Sequence, residues 1–263
     1  MDMRLDHSRA FISGSTQGIG FAIAAGLAAE GAEVILNGRD AARVDAAAAR
    51  LRAAVPGAVV SALPADLSVA SQVGSLLRDL GEIDILVNNV GEFEVKEFAD
   101  VSDSDWAQYV EVNVMSGVRL SRHSLPRMLS RGTGRIIFIS SESGVDVPAN
   151  MIHYGATKAA VVALSNGLAK LTRGTDVTVN TILGGPTYSA GVASTVRQIA
   201  ESQGVSEKTL KGTLIAGSRT SLLERFIDPE EIAALAVYLA SPVSSATNGA
   251  ALRADGGVLT TAT

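Results

Sequence analysis

The chain contains no cysteine, so it forms neither disulfide bonds nor thiolate metal sites, and a reducing compartment does not harm it. It also lacks a surplus of positive charge: the net charge of −5, with scattered basic residues, argues against nucleic acid as a partner. No stretch of membrane-spanning length is free of polar or charged residues, and the start of the chain carries no apolar signal-peptide core. We therefore expect a cytoplasmic protein without a membrane partner.

Repeats, low-complexity tracts and Pro/Gly-rich linkers are absent as well, so no domain boundary is marked within the 263 residues. Hydrophobic residues make up 47% of the chain and charged residues 19%, which allows a large core and argues against disorder. The acidic residues Asp84, Glu92 and Glu94 show no metal-ligand spacing, and we expect no metal. The prediction is one domain covering residues 1–263.

Short apolar runs of strand length alternate with longer segments of helical spacing. The runs lie at residues 10–12, 34–36, 59–63, 83–87, 135–140 and 177–182, and the helical segments include 19–29, 41–54, 102–128 and 154–171. Continuous apolar strands between helices indicate a parallel sheet covered on both faces. The predicted fold is therefore an α/β, doubly wound parallel sheet of the Rossmann type with right-handed connections.

This alternation stops between Thr187 and Asp228. Helical pieces there are interrupted by glycines before Pro229 starts another helix; the glycines are Gly191, Gly204, Gly212 and Gly217. We expect the insertion, residues 187–226, to form a lid over the substrate.

The first predicted strand leads directly into a glycine-rich turn, Gly14-Ser15-Thr16-Gln17-Gly18-Ile19-Gly20, and then into an apolar helix. Glycine permits close backbone approach, and the free N–H groups and dipole of a helix N-terminus favour an anion, so this arrangement suits a pyrophosphate. The spacing is G-x-x-x-G-x-G, not the commoner G-x-G-x-x-G. Alone, the motif also fits an ordinary βα turn.

Tyr154 and Lys158 lie one helical turn apart, which puts a phenol and an ammonium on the same face. A nearby cation favours phenolate, so Lys158 and an oxidised nicotinamide are expected to lower the pKa of Tyr154. Ser141 ends the preceding predicted strand, where ligands of parallel sheets bind, and can donate to a carbonyl oxygen. The alternatives are an exposed helix pair and a turn-forming serine. The neighbours Glu142 and His153 are expected to point elsewhere and are interpreted as non-catalytic.

The end of the second predicted strand bears on the choice of cofactor. In dinucleotide-binding folds, the acid that selects NAD lies about twenty residues after the glycine turn and binds the ribose 2′-hydroxyl. Here that position is Gly38, which has no side chain, and Arg39 follows. A guanidinium binds a phosphate through two charge-assisted hydrogen bonds, so the pattern favours NADP(H) over NAD(H). The alternative is a solvent-facing Arg39, with Asp40 as the N-cap of the next helix.

Together these motifs resemble the classical short-chain dehydrogenase/reductase family, and the resemblance covers nearly the whole chain. The matches to its catalytic residues are Asn113, Ser141, Tyr154 and Lys158. The matches to its cofactor-binding residues are Gly14, Ser15, Thr16, Gln17, Gly18, Ile19, Gly20, Asp66, Leu67, Asn89, Gly91, Tyr154, Lys158, Gly185, Pro186 and Thr187. Asp66-Leu67 would contact adenine, and Asn88-Asn89-Val90-Gly91 resembles the family's sheet-stabilising motif.

The resemblance implies a role for each catalytic residue. Tyr154 would protonate the carbonyl oxygen as hydride arrives from the nicotinamide, and Ser141 would hold that oxygen. Lys158 would bind ribose hydroxyls, and Asn113 would anchor a water in the proton relay.

Three positions depart from the family pattern. Val90 stands where Ala is usual, and Phe138 replaces an Asn common in its strand, which removes a local structural hydrogen bond. Gly184 stands where the family's first Pro would be, so the following loop is expected to be less rigid.

The function predicted from these residues is hydride transfer between a nicotinamide cofactor and a carbonyl or secondary alcohol. The nearest family analogy is to 3-oxoacyl-thioester reductases, and sugar, polyol and cyclic alcohol dehydrogenases are the alternatives. An alternative of another class is a dinucleotide-binding sensor or scaffold without turnover. The resemblance also implies a homotetramer that pairs through the long helices beginning near Ser102 and Tyr154.

Overall fold

Seven parallel strands form one sheet in the computed structural model, which describes residues 2–217 and 220–261. The order across the sheet is β3-β2-β1-β4-β5-β6-β7. The strands are β1 Arg9–Ile12, β2 Glu33–Leu36, β3 Val60–Ala62, β4 Ile85–Asn88, β5 Thr133–Ser141, β6 Asp176–Gly184 and β7 Ala251–Ala254. The direction of the strand order reverses between β1 and β4, which is where ligands of open α/β sheets bind.

Nine α-helices of the described residues cover the two faces of this sheet. They are α1 Gly18–Ala29, α2 Ala41–Ala54, α3 Ala70–Leu80, α4 Asp103–Val110, α5 Ser116–Arg131, α6 Ile152–Ala169, α7 Ala190–Gln203, α8 Glu207–Gly217 and α9 Pro229–Ala240. Across both described ranges, no helix combines the length and the apolar character that a bilayer crossing requires.

Each face of the sheet has its own hydrophobic core, because successive strand residues point to opposite sides. In β1, Ile12 joins the core formed with α1, α2 and α9, whereas Phe11 joins the core formed with α3, α5 and α6. In β5, Ile137 joins the first of these cores and Phe138 joins the second. Burial on both faces explains why the strands read as continuous apolar runs.

The predicted fold class is confirmed, and the six predicted strands correspond to β1–β6. The edge strand β7 was not predicted; Arg253 interrupts it and Ala251 is exposed, so it has no apolar run. The helix predicted over 102–128 is also interrupted. Between α4 and α5 the chain makes one π-helical turn, Glu111–Met115.

The segment predicted as a lid contains two helices, α7 and α8, packed around a small cluster that includes Val196 and Leu210. Gly191 and Gly212 lie inside these helices and do not interrupt them, contrary to the prediction. Gly204 does end α7, with a φ of 65° that favours glycine. Within the predicted lid, Ser218 and Arg219 lie outside the described residues.

Gly117 of α5 packs directly against Phe138 of β5, and a Cβ at Gly117 would lie 2.9 Å from the phenyl ring. The ring is 1% exposed and has no free space to move into. We expect Gly117→Ala to lower the free energy of unfolding by about 1–3 kcal/mol, the usual cost of overpacking a core. Alanine is the better helix former by roughly 1 kcal/mol, so the sign of the change reports the packing. Urea unfolding at constant m-value measures it.

Gly74→Ala in α3 is the matched control, because its new Cβ would meet only the flexible end of Arg78, at 3.8 Å. This variant should gain roughly 0.5–1 kcal/mol. Equal gains for both variants would contradict tight packing at Gly117, and Phe138→Leu should relieve the loss caused by Gly117→Ala.

Candidate active site

The glycine-rich turn between β1 and α1 forms a cradle whose backbone would be strained or crowded by side chains at the glycine positions. Gly14 and Gly18 have φ values of 62° and 59°, which L-residues with a side chain rarely adopt. A Cβ at Gly20 would lie 2.5 Å from both the Asn89 Nδ2 atom and the Gly14 carbonyl oxygen. Within the described residues, no side chain caps the N-terminus of α1, so its first N–H groups face this cradle.

Asn89 holds the turn in place from the end of β4. Its Nδ2 donates to the carbonyl oxygens of Ser13 and Gly14, both at 3.0 Å. Ser15 is fully buried, and its hydroxyl donates to the Ile12 carbonyl at 2.7 Å. The side chains of Ser15 and Asn89 therefore fix the backbone of the turn from within the protein.

A cavity of about 330 Å³ opens beside this turn, at the carboxyl ends of β2 and β4. We call it the cofactor cavity. It brings together nine of the predicted cofactor-binding and selectivity residues: Gly14, Thr16, Gln17, Arg39, Asp66, Leu67, Asn89 and Gly91, with Gly38 in the position of the NAD-selecting acid. Glu92 and Arg43, which were not predicted there, also line it.

Two guanidinium groups, Arg39 and Arg43, flank the side of this cavity next to Gly38. Asp40 caps α2 by accepting from the Arg43 backbone N–H at 2.9 Å, and the Arg43 Nη2 donates to the Gln17 side chain at 3.1 Å. Arg43 was not predicted as a cofactor residue, although it lies four residues after Arg39, one helical turn away.

Asp66, on the opposite side of the cofactor cavity, is held as a carboxylate. The Ser68 hydroxyl donates to it at 2.6 Å and, with the charge of Arg39, lowers the pKa of Asp66 despite partial burial. The backbone N–H of Asp66 donates to the Gln72 side chain at 2.8 Å.

A second cavity, of about 430 Å³, lies at the carboxyl ends of β5 and β6. We call it the substrate cavity. Polar residues of its wall include Ser141, Tyr154 and Thr187, and it also takes in Gly185 and Pro186. The apolar part of the wall comes from the helix α1, the loop after β4, the start of α6 and the predicted lid: Ile19, Phe93, Met151, Val192, Leu214, Ile215 and Phe226.

Tyr154 faces the substrate cavity from the first turn of α6, and Ser141 faces it from the end of β5. Burial raises the pKa of Tyr154 to about 12, and the negative charge of Glu142 adds to the rise. Contrary to the prediction, Lys158 is not among the causes of this shift and does not lower the pKa of Tyr154; the lowering expected from an oxidised nicotinamide stays a prediction.

Lys158 is buried behind Tyr154, with only 5% of its surface exposed. Its Nζ donates to the Ile139 carbonyl at 3.1 Å and lies 5.6 Å from the centre of the Tyr154 ring. Burial lowers the pKa of Lys158 to about 8, and the charge of Glu142 partly opposes that shift. A Cβ at Gly91 would lie 3.1 Å from Nζ, so only glycine leaves the ammonium this room beside the cofactor cavity.

Asn113 lies in the π-helical turn and is 4% exposed. Its Nδ2 donates to the Glu92 carbonyl at 3.1 Å and the Thr157 hydroxyl at 3.0 Å, and its Oδ1 accepts from the Glu92 N–H at 2.8 Å. The amide group thus joins the loop after β4 to α6. π-Helical turns occur frequently at functional sites, and this one turns Asn113 inward.

Glu142 also lines the substrate cavity, contrary to the expectation that it points elsewhere. Its carboxylate accepts hydrogen bonds from the hydroxyls of Ser141 and Ser143. The expectation assumed strand alternation, but β5 ends at Ser141 and a 3₁₀ turn begins at Glu142, so the alternation does not continue. His153, in contrast, is buried against Tyr109, with the ring centres 4.4 Å apart.

The three departures from the family pattern lie in structured parts of the chain. Gly184 belongs to β6, where it pairs with Ser141 and Ala254, so the replacement falls in a strand and not in the following loop. Phe138 fills core space against Gly117. A methyl group of Val90 approaches the position that a Cβ at Gly14 would take, to 3.0 Å.

Comparison with known proteins identifies the family. Residues 8–200 match the sequence model of the short chain dehydrogenase family. The chain is 46% identical to the Bacillus subtilis oxidoreductase YvrD over 263 residues, covering 98% of this chain and 99% of that protein. It is 35% identical to the D-beta-hydroxybutyrate dehydrogenase of Cupriavidus necator over 257 residues, covering 96% and 98%.

Among solved structures, L-sorbose reductase from Gluconobacter frateurii, complexed with NADPH and L-sorbose, superimposes with a TM-score of 0.94. It is 32% identical, and the match covers 99% of this chain and 100% of the reductase. The chain belongs to the short-chain dehydrogenase family and is an oxidoreductase of the NAD(P)-dependent type.

The burial of Lys158 leads to a stability prediction. Since its folded pKa of about 8 lies below the ordinary value of 10.5, the unfolded chain binds the proton more tightly, and the charged side chain destabilises the fold at pH 7. We expect Lys158→Met to stabilise the protein by about 1–3 kcal/mol at pH 7 while activity is lost. The gain should shrink as pH rises from about 8 toward 10.5, where the wild-type lysine loses its charge in both states.

Thermal and urea unfolding between pH 7 and pH 10 measure this difference. Lys170→Met, which removes an exposed lysine, should change stability by less than about 0.5 kcal/mol at every pH. A pH-independent difference for Lys158→Met would mean that burial does not govern the lysine charge.

Proposed function

We propose that this oxidoreductase interconverts a carbonyl compound and its secondary alcohol, with Tyr154 as the proton donor in reduction and acceptor in oxidation. The observation that carries the proposal is the convergence of Tyr154 and Ser141 on one cavity wall, with Lys158 buried behind them. A bound nicotinamide dinucleotide supplies or takes up the hydride. Ser141 holds the substrate oxygen, and Lys158 keeps a positive charge beside the phenol and binds ribose hydroxyls.

The residues present fit such a cofactor. The glycine cradle and the open N-terminus of α1 suit a pyrophosphate, since no side chain of the described residues caps the first N–H groups of the helix, and a Cβ at Gly20 would collide with the turn itself. Asp66-Leu67 would hold the adenine, and Gly185, Pro186 and Thr187 would hold the nicotinamide at the wall of the substrate cavity. Ile19 reaches the substrate cavity from the first turn of α1, between the two sites.

Proton supply to Tyr154 involves the buried groups behind it. The raised pKa of Tyr154 keeps the phenol protonated at neutral pH, which is the form that reduction needs. For oxidation, the positive charge of an oxidised nicotinamide would favour the phenolate. Asn113 remains the candidate for anchoring a relay water, with its amide already fixed between Glu92 and Thr157.

We favour NADP(H) over NAD(H) as the cofactor. Gly38 offers no carboxylate to the ribose 2′-hydroxyl, while Arg39 and Arg43 place two positive charges beside it. The L-sorbose reductase structure contains NADPH, which agrees with this preference.

Several further predictions concern the whole protein. Residues 187–226 would act as a lid, since α7 and α8 contribute Val192, Leu214 and Ile215 to the substrate cavity. A homotetramer paired through α4, α5 and α6, and a cytoplasmic location, stay predictions.

The alternative of a non-catalytic binder is not supported, because a pure binder would need the glycine turn but not Ser141 and Tyr154 together.

Tyr154→Phe is expected to lower kcat by on the order of 10²-fold or more, because the ring is kept and only the transferable proton is lost. Cofactor affinity should change little. The matched control is Tyr109→Phe, since Tyr109 is also buried and burial likewise raises its pKa to about 12, yet it does not line the substrate cavity. Steady-state kinetics and cofactor titration provide the measurements, and near-normal kcat in Tyr154→Phe would refute the assignment.

Arg39→Ala should weaken NADP(H) binding by about 1–3 kcal/mol, the typical scale of a hydrogen bond to a charged group, while NAD(H) binding stays nearly unchanged. Arg43→Ala should act in the same direction, and Arg78→Ala, near the C-terminal end of α3 and not in the lining of the cofactor cavity, should affect neither cofactor. Fluorescence titration with both cofactors measures the effect. Equal losses for NADP(H) and NAD(H), or a wild-type preference for NAD(H), would show that Arg39 does not select the cofactor.

A further inference from the structure

Glu142 is the single charged residue that lines the substrate cavity within the described part of the chain. Three cations line a neighbouring cavity of about 970 Å³, which shares Ile215 and Phe226 with the substrate cavity. Its cations are Lys208, Lys211 and Arg225, and the Lys211 ammonium stacks on the Tyr188 ring at 3.5 Å. A substrate bound at Ser141 and Tyr154 therefore contacts the negative charge of Glu142, and among the described residues no lysine or arginine lines this cavity.

The hydroxyl of Ser141 is directed at this carboxylate. Ser141 Oγ donates to Glu142 Oε2, Ser143 Oγ donates to Glu142 Oε1 at 3.2 Å, and the Ser143 N–H donates to Ser141 Oγ at 3.1 Å. A serine hydroxyl has one proton. While Glu142 accepts that proton, Ser141 has none left to donate to a substrate oxygen.

Other charged and titratable groups near Glu142 are Tyr154 and Lys158 of α6. Burial raises the pKa of Glu142, and the hydrogen bonds from Ser141 and Ser143 oppose the rise. The Lys158 ammonium attracts the Glu142 carboxylate and donates to the Ile139 carbonyl, but it does not line the substrate cavity, where Glu142 is the charge that a substrate contacts.

We propose that Glu142 determines substrate specificity by selecting uncharged compounds with a hydroxyl group on the carbon next to the reacting carbon. These compounds are α-hydroxy ketones in reduction and vicinal diols in oxidation. The inference rests on the proposed function. The neighbouring substrate hydroxyl donates to Glu142, which releases the Ser141 proton to the carbonyl oxygen, so every donor and acceptor keeps a partner.

Proton and hydride balance do not involve Glu142. In reduction, hydride from the reduced nicotinamide adds to the carbonyl carbon, the oxygen takes the Tyr154 proton, and the carboxylate only exchanges one hydrogen-bond donor for another. A ketone without a neighbouring hydroxyl has no hydrogen-bond donor that could replace Ser141 at the Glu142 carboxylate. A carboxylate in the same position brings two negative charges together away from bulk water, which is unfavourable.

Three ketones on one carbon skeleton test this specificity: 2-butanone, 1-hydroxy-2-butanone and 2-oxobutanoate, which differ only in a methyl, a hydroxymethyl or a carboxylate next to the carbonyl. For the wild type with NADPH, kcat/KM for 1-hydroxy-2-butanone should exceed that for 2-butanone by about tenfold or more, with 2-oxobutanoate lowest. Glu142→Met should reduce the first ratio by on the order of tenfold. Glu142→Gln keeps the shape and should improve 2-oxobutanoate relative to 2-butanone.

The control is Glu82→Gln, the same chemical change on a side chain 74% exposed at the amino end of β4, and it should leave all ratios unchanged. Binding of 1,2-butanediol, 2-butanol and 2-hydroxybutanoate to the NADPH complex, a pair that cannot exchange hydride, should give the same order by calorimetry without turnover. Equal kcat/KM values for the three ketones in the wild type, or the same ratios in Glu142→Met as in the wild type, would overturn the role of Glu142. The proposed function is judged separately, by the loss of turnover in Tyr154→Phe.

Discussion

The parallel pairing of β5 with β6 is the interaction on which the site depends. The two strands pair over nine residues, in a register that sets Ser141 opposite Gly184. Since parallel strands end at the same edge, the residues that follow them, Glu142 on one side and Gly185 to Thr187 on the other, must meet there. The substrate cavity is thus a product of register: a slip of one residue would turn Ser141 to the opposite face.

Much of the fold follows from local sequence, because strands buried on both faces and helices with apolar stripes leave readable patterns. β7 leaves none, since it is a short edge strand stabilised by β6 and interrupted by Arg253. Two glycines of residues 187–226 were wrongly predicted to interrupt helices for a related reason. Gly191 and Gly212 lie in exposed helix positions where a glycine weakens the helix without ending it.

The site residues were predicted from motif spacing, but their electrostatics were not. Positions one helical turn apart, such as Tyr154 and Lys158, are known from the sequence to be close. The pKa of each group instead depends on burial by distant parts of the chain. Glu142 escaped prediction because it follows the last strand residue, where a 3₁₀ turn replaces strand alternation. Arg43 escaped because its contact with the Gln17 side chain exists only once α2 packs beside the glycine turn.

The π-helical turn at Glu111–Met115 has a consequence for how this chain tolerates changes in length. Such a turn holds one residue more than an α-helical turn, and each residue of an α-helix advances by roughly 100°. Loss of a single residue there would convert it to ordinary helix and rotate α4 against α5 by about that angle. Asn113 would then leave the contact with Thr157, whereas a loss or gain in the exposed loop before α4 would be absorbed locally. This stretch of backbone is therefore constrained in residue number as well as in residue type.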